Sequence, residues 1–393
     1  MVTGPLSGRR VAVLSATRTA IGRFGGSLRE ISPLDLGAQV VKAAVSRSGL
    51  PMDDVKRVVL GENMQVTRGG NPARHVLLRA GAPVSADDYS VNMNCASGLR
   101  AMTSLAGDIL LGDVDNGVAV GTENMSAAPY LLEGARFGYR LGNGTLVDFL
   151  GDYILGDAGP MAETVAERYG ISRSEQDNFA ASSQAKAAAA ISAGHFRDQI
   201  VPVEIRTKGG TQLFETDEHP RPEVTAESLA RLKPAFDPKG TVTAGNSSGI
   251  NDGAAAVVLM SEENARSSGT VPLGFIRAWA AAGVEPGLFG IGPVPAVAKV
   301  LEKSDLKLDD IGLVELNEAF ASSTVAVMNE LGLRPEVVNV NGGAIALGHP
   351  VGATGIVLAT KLLSEMRRRG TQLGLVTMCV GSGQGMAVLF ESE

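Results

Sequence analysis

Residues 91–94 read VNMN and residues 338–341 read VNVN, and this echo constrains the fold more than any other feature of the chain. Self-similarity at that distance implies one supersecondary unit used twice. The first use runs Val11–Ser15 as a strand, Ser32-Pro33 as N-cap and first-turn proline of a helix, and Gly49 as its left-handed stop. Arg57–Asn63 follows as a strand, Asn71-Pro72 caps a helix ending near Gly81, Asp88–Asn94 is a third strand, and Leu99–Leu111 a third helix. Gly117–Gly121 and Asp252–Met260 complete it as strands. The second use replays that order: Leu273–Trp279, Pro293–Lys303, Gly312–Leu316, Glu318–Leu331, Val337–Asn341, Thr354–Arg369, then strands Leu373–Met378 and Gly385–Phe390. Strands alternating with helices predict βαβ units in a buried, mostly parallel sheet.

Between Thr122 and about Gly249 the rhythm breaks. That stretch holds Gly- and Tyr-rich segments, an Ala-rich helix with a Ser172/Glu175 capping box closing at Gly194, and a short helix Thr225–Leu232 stopped by Pro234. The expected organisation is therefore a core half at 1–121 plus 250–271, an inserted loop domain at 122–249, and a second core half at 272–393. At 393 residues the chain exceeds one ordinary core. A net charge of −7 gives no basic excess, which argues against nucleic acid as a partner. No stretch approaches the ~20 apolar residues of a membrane span. The apolar run after Arg9-Arg10 is too short for a signal peptide, and two cysteines make no disulfide framework, so the cytoplasm is the expected compartment.

Four polar groups fall at equivalent strand ends: Cys95, Asn317-Glu318, His349 and Cys379. Open α/β sheets present ligands at the C-terminal ends of their strands, so these can converge. Cys95 is expected on the first turn of a helix, where free N–H groups favour a thiolate. Cys with His is the minimum for an activated thiol. Cys379 can serve as an acid/base or as a redox partner, and the turn at Gly381 offers N–H groups for an oxyanion. Of the four histidines, His75 lies on an amphipathic helix and His195 and His219 in polar loops; only His349 sits in a Gly/Pro-rich turn. No Cys or His pair has metal-ligand spacing, and the Gly runs fit neither a P-loop nor a dinucleotide turn.

These stretches together resemble the thiolase family (acetyl-CoA C-acetyltransferase and 3-ketoacyl-CoA thiolase) over nearly the whole length. They are Asn94-Cys95-Ala96-Ser97-Gly98, Gly245–Gly253, Asn317-Glu318-Ala319-Phe320, Gly342–Pro350 and Cys379-Val380-Gly381-Ser382-Gly383. The resemblance implies an α/β fold, a duplicated five-layered α-β-α-β-α core with an inserted loop domain. It implies reversible Claisen condensation of acyl-CoA with acetyl-CoA, or thiolysis of 3-ketoacyl-CoA, through an acyl-cysteine, as in fatty acid metabolism.

Carried over residue by residue, Cys95 would be acylated, His349 would activate it, and Cys379 would move the α-carbon proton. Asn317, through a water, and His349 would hold the thioester oxygen, while the N–H groups of Cys95 and Gly381 would hold that of the acyl-enzyme. Arg221, Ser228, Phe236, Ala244 and Ser248 would line the CoA site, with Ala319 and Phe320 at its pantetheine end. Coenzyme A would be substrate and product, with no bound cofactor and no metal. Acyl-CoA and CoA would be the small-molecule partners, with neither nucleic acid nor membrane, and the assembly a homodimer or homotetramer. One departure stands out: short-chain biosynthetic members carry a His-Met pair just before the stretch matching Gly159–Glu163, where this chain reads Gly156-Asp157-Ala158-Gly159-Pro160-Met161, with no His.

Three other readings compete. A non-catalytic acyl-CoA or lipid binder has no need of two thiols and an imidazole in Gly-rich turns. A dithiol redox protein would cycle Cys95 and Cys379 through a disulfide, and a plain cysteine hydrolase leaves Cys379 idle.

Overall fold

The computed structural model describes residues 10–65, 70–207 and 209–393, so Arg9 lies outside the described residues. Its first strand, β1 (Val11–Thr19), begins apolar at Val11–Leu14 and is buried along nearly all its length. Helix α1 (Pro33–Ser48) starts where the Ser32 hydroxyl accepts the N–H of Leu34 and stops at Gly49, whose φ of 77° only glycine adopts easily. Strand β2 (Arg57–Gly61) and helix α2 (Pro72–Ala80), capped by the Asn71 side chain, follow. Next come β3 (Asp87–Val91), α3 (Ser97–Leu111) and β4 (Asn116–Asn124).

The chain then leaves the sheet. Helices α4 (Ala158–Arg168) and α5 (Arg173–Ser192) carry it, the second opened by the expected Ser172/Glu175 capping box. The expected helix at 225–232 is a single turn, Ala226–Leu229, with Thr225 as its N-cap. This segment is bolted to the core by a buried ion pair: Arg18 grips both oxygens of Asp217, at 2.7 and 2.9 Å. The chain re-enters the sheet as β5 (Asn251–Ser261), every residue of which is buried.

The second half comprises β6 (Gly274–Gly283), α6 (Pro293–Ser304), β7 (Leu313–Leu316), α7 (Ala321–Leu331), α8 (Val351–Arg369), β8 (Leu373–Val380) and β9 (Gln384–Glu391). Across the sheet the strands run β7-β8-β9-β6-β1-β5-β4-β2-β3. Counted within its own half, each set of strands lies in the order third, second, fourth, fifth, first. In the second half the third place is held only by a bridge between Val338 and Val314, so the strand expected at Val337–Asn341 does not form. Asn339 bonds the backbone of Leu316 with both ends of its side-chain amide, at 2.9 and 2.8 Å, in place of a longer ladder.

The sheet is mixed, which corrects the mostly parallel expectation. Parallel pairing joins β2 to β3 and β4, and β7 to β8. The fourth and fifth strands of each half are antiparallel neighbours, as are β1 and β6 where the halves meet. A strand reached by the hairpin at 381–383, or by the long excursion before β5, need not cross over and so enters in the opposite sense.

Five layers result. Helices α1 and α2 cover the outside of the first half-sheet, α6 and α7 flank the second, and α3 with α8 fill the space between. Helix α8 is the innermost element, with 15 of its 19 residues buried. It crosses α3 almost backbone to backbone: a Cβ on Gly355 would lie 2.5 Å from the N of Leu99, and one on Gly98 2.7 Å from the O of Gly352. That contact sets the N-terminus of α8, with His349 just ahead of it, beside the turn that carries Cys95. Among the described residues no helix is long and apolar enough to cross a membrane.

Candidate active site

Cys95 precedes α3 by two residues instead of sitting on its first turn, because β3 ends at Val91 and residues 92–96 form a separate tight turn. The Ser97 hydroxyl locks that turn, donating to the Asn94 O at 2.7 Å and accepting the Met93 N–H at 2.9 Å. Asn94 takes φ of 46°, a left-handed conformation that Asn tolerates better than most residues. Burial pushes the Cys95 thiol up, while the N–H groups of Gly381 and of Cys95 itself, both directed at the sulfur, pull it down. Burial wins, so the thiol rests protonated and needs a base.

Cys379 lies buried near the end of β8, and Gly381 begins the turn after it. Burial raises its thiol strongly, and the nearness of Cys95 raises it further. The Asn94 side-chain amide donates to the Gly381 carbonyl at 3.0 Å, joining the two cysteine turns.

His349 follows a single helical turn, Ala344–Leu347, and is 5% exposed. Burial alone lowers its imidazole to about 4, so the ring is neutral at physiological pH. Its Nε2 lies 3.3 Å from the Asn317 Nδ2, and its Nδ1 2.6 Å from the Thr354 hydroxyl. Its backbone N–H donates to the Asn251 Oδ1 at 2.9 Å. Asn317 stands just past β7, its Oδ1 buried without a partner among the described residues. Glu318 is not helical, against the helix expected from Glu318 onward; α7 begins at Ala321. Its carboxylate instead accepts from the Ser183 hydroxyl, the Asn339 amide and the Ile345 N–H, at 2.6, 2.8 and 3.1 Å. That grip fixes the glycine loop leading to His349. Thus four stretches remote in sequence supply Cys95, Asn317, His349 and Cys379 to one place.

Two apolar surrounds adjoin the thiols. Met64, Met125, Leu150 and Val351 pack at Cys95. Phe289 and Ala319 pack at Cys379, with Ala158, Met161 and Phe320 against them. Ala158 and Met161 belong to the stretch that departs from the short-chain pattern.

The residues expected around CoA form a connected rim. Ser248 N–H donates to Ala319 O at 2.9 Å, and Ser247 bridges Phe320. Phe236 meets Phe320 edge to face, with ring centres 6.2 Å apart, over Gly159, where any Cβ would strike the Phe236 ring. Ala244 is exposed beside Gly245, which lies under Leu229, the neighbour of the exposed Ser228. Ser228 closes a capping box with Thr225, its hydroxyl accepting the Thr225 N–H at 3.0 Å. Arg221 is exposed, its N–H anchored on Gln184 at 2.9 Å. His219 is partly buried against Gly249; burial first and the Arg221 charge second lower it to about 4, opposed by a hydrogen bond to the Ile345 carbonyl.

Nothing in the sequence singles out Asn94, Asn251 or Thr354 as partners of the site. The available signals were slight: Asn94 adjoins the cysteine, and Thr354 lies one helical turn beyond Pro350. Among the described residues no cluster of His, Cys, Asp and Glu fits a metal ion.

Two family profiles match the chain, one described as thiolase, N-terminal domain, over residues 11–263, the other as thiolase, C-terminal domain, over residues 270–392. An acetyl-CoA acetyltransferase of Chromobacterium violaceum is 49% identical over 388 residues, spanning 97% of this chain and 99% of the relative. A beta-ketothiolase of Cupriavidus necator is 46% identical over 394 residues, spanning 98% and 99%. In structure the chain is similar to the acetyl-CoA acetyltransferase of Bacillus anthracis, with TM-score 0.95, 44% identity and coverage of 98% and 99%. It is likewise similar to human mitochondrial 3-ketoacyl-CoA thiolase in complex with CoA, with TM-score 0.94, 40% identity and coverage of 99% of each chain.

Proposed function

The chain belongs to the thiolase family, and from that premise we propose how its residues divide the work. It is a CoA-dependent acyltransferase that condenses an acyl-CoA with acetyl-CoA, or runs the reverse thiolysis, through an acyl-cysteine. Cys95 is the acylated residue. Neutral His349 takes the Cys95 proton on Nε2 as the sulfur attacks. The N–H groups of Cys95 and Gly381 receive the oxyanion. Asn317, through a water, and His349 hold the oxygen of the acetyl-CoA enolate.

In the thiolytic direction Cys379, a neutral thiol at rest, gives its proton to the α-carbon as the C–C bond breaks. In condensation the CoA sulfur expelled on acylation of Cys95 takes the Cys379 proton, and the resulting thiolate removes the α-proton of acetyl-CoA. The observation that carries this reading is the Asn94 amide on the Gly381 carbonyl at 3.0 Å, which ties the turn of Cys95 to the turn just beyond Cys379. Arg221, Ser228, Phe236, Ala244, Ser248, Ala319 and Phe320 form the CoA path, with the cation at its outer end. In this reading 122–249 is the loop domain that carries most of that path, set between core halves at 1–121 plus 250–271 and 272–393. The assembly is a homodimer or homotetramer, which light scattering resolves. Cys95 and Cys379 are free thiols, and a mechanism needing both reduced suits the cytoplasm.

The test is acylation by acetyl-CoA followed by mass mapping. An acetyl group on the Cys95 peptide, discharged by free CoA, is the expected result; a covalent acetyl elsewhere, or none, overturns it. Thiolysis of 3-ketoacyl-CoAs from four carbons upward then ranks chain length.

A further inference from the structure

We propose that Thr354 fixes which ring nitrogen of His349 carries the hydrogen, and so makes Nε2 the basic nitrogen. This rests on the assignment of His349 as the base for Cys95. A hydroxyl has one hydrogen to give. Thr354 lies in the first turn of α8 and gives its hydrogen to the Pro350 carbonyl, four residues back, at 2.9 Å. Its oxygen, 2.6 Å from the His349 Nδ1, is therefore left to accept, and Nδ1 must be the donor. In a neutral imidazole a hydrogen on Nδ1 leaves the lone pair on Nε2.

The other side of the ring agrees. Asn317 faces Nε2 with its amide nitrogen at 3.3 Å, a group that can only donate. Turning that amide over would present Oδ1 and demand a hydrogen on Nε2. Nδ1 would then have to accept, and the Thr354 hydroxyl would have to abandon Pro350. The threonine thus decides between the two arrangements. It is a positioning residue, acting on the proton transfer only through His349.

Its surroundings make the control strong. Thr354 is 2% exposed, so water does not compete for Nδ1. The His349 backbone is separately held by Asn251, whose other amide end donates to Gly22 O at 2.9 Å. With the backbone fixed from one side and the ring from the other, Nε2 has one direction to face.

The test reads the tautomer directly, on the full-length protein labelled with 15N-histidine at neutral pH. His349 resonances are identified by their loss in His349→Asn. The wild-type spectrum should show a protonated Nδ1 and an unprotonated Nε2; a proton on Nε2 overturns the proposal without any further variant. Thr354→Val removes the acceptor at nearly constant volume and should shift His349 toward the other tautomer. Acylation of Cys95 by acetyl-CoA should slow by about 10–100-fold, the usual consequence of losing such a support, with KM for CoA little changed. Thr354→Ser keeps the hydroxyl and should restore both spectrum and rate. A Thr354→Val protein with wild-type tautomer and wild-type acylation refutes the proposal. If the tautomer shifts while acylation keeps its pace, the tautomer assignment stands and the role of His349 as base falls.

Discussion

The side-chain amide of Asn94 holds the carbonyl of Gly381, 287 positions away in sequence, at 3.0 Å. Gly381 in turn directs its N–H at the sulfur of Cys95, the residue next to Asn94. The turn of Cys95 thereby orients half of the proposed oxyanion site. Asn94→Gly accommodates the left-handed backbone and deletes the bond. It should lower kcat by roughly ten-fold, less than the ~10²–10³ of losing an oxyanion donor outright, with KM for CoA unchanged. Steady-state thiolysis checks this, and an unchanged kcat would show that Gly381 is oriented without Asn94.

Cys379→Ala separates the two thiols by step. The variant should still acquire an acetyl group on Cys95 from acetyl-CoA. It should fail to exchange the acetyl-CoA methyl protons with deuterated water, and condensation should fall by ~10²–10⁴. Condensation near the wild-type rate would leave Cys379 a small buried residue and nothing more.

Arg221→Ala should raise KM for CoA by roughly ten-fold, since an exposed charge-assisted contact is weakened by screening. The kcat should hold. Dephospho-CoA serves as the control, because the variant and the wild type should use it equally well. Equal KM values for CoA itself would place the phosphate elsewhere.

Acid stability should bear the mark of two enclosed imidazoles. His219 and His349 are each lowered to about 4 from 6.5, mainly by burial. Between those values the unfolded chain binds protons that the folded one refuses, so stability drops as pH falls through this window. His219→Asn and His349→Asn should each flatten that slope, by up to about 3 kcal/mol across it. Urea titrations at the two ends of the window measure the difference.

Glu62 shows the opposite sign. Burial first, and Glu123 second, raise it to about 9, and its Oε2 has no hydrogen-bond partner among the described residues. The folded chain must keep a proton there that the unfolded chain releases above its ordinary 4.5, so this group costs stability as pH rises from there to about 9. Glu62→Gln, neutral throughout, should raise the melting temperature at alkaline pH and lose that advantage near pH 5. A melting temperature unchanged by the substitution at alkaline pH would count against a buried acid.

The sequence disclosed the duplication because turn residues and caps repeat: Ser32-Pro33, Asn71-Pro72 and the two VNxN stretches lie where local chemistry decides structure. It misled on strand sense, since β5 and β9 carry the same apolar pattern whether they run parallel or antiparallel. Val337–Asn341 has a strand's composition, yet Asn339 satisfies the neighbouring backbone with its side chain and the ladder stops. Cys95, His349 and Cys379 were visible because Gly-rich turns flank them. Thr354 and Asn251 were not, because a hydroxyl or amide in a buried element looks the same whether it bonds its own backbone or a neighbouring side chain.

Helix α8 carries a last consequence. It lies between the two half-sheets, and Lys361 at its middle is tied to Glu315 and to the Gly342 carbonyl at 2.7 and 2.6 Å. During synthesis the first half-sheet emerges long before this helix, so the part of its inner face that α8 covers waits bare while about 90 further residues are made (from Ser261 to Val351). The turn bearing Cys95 has no Gly381 and no His349 beside it in that interval. A nascent chain therefore carries Cys95 as an ordinary cysteine until residues 349–381 have left the ribosome and packed beside it.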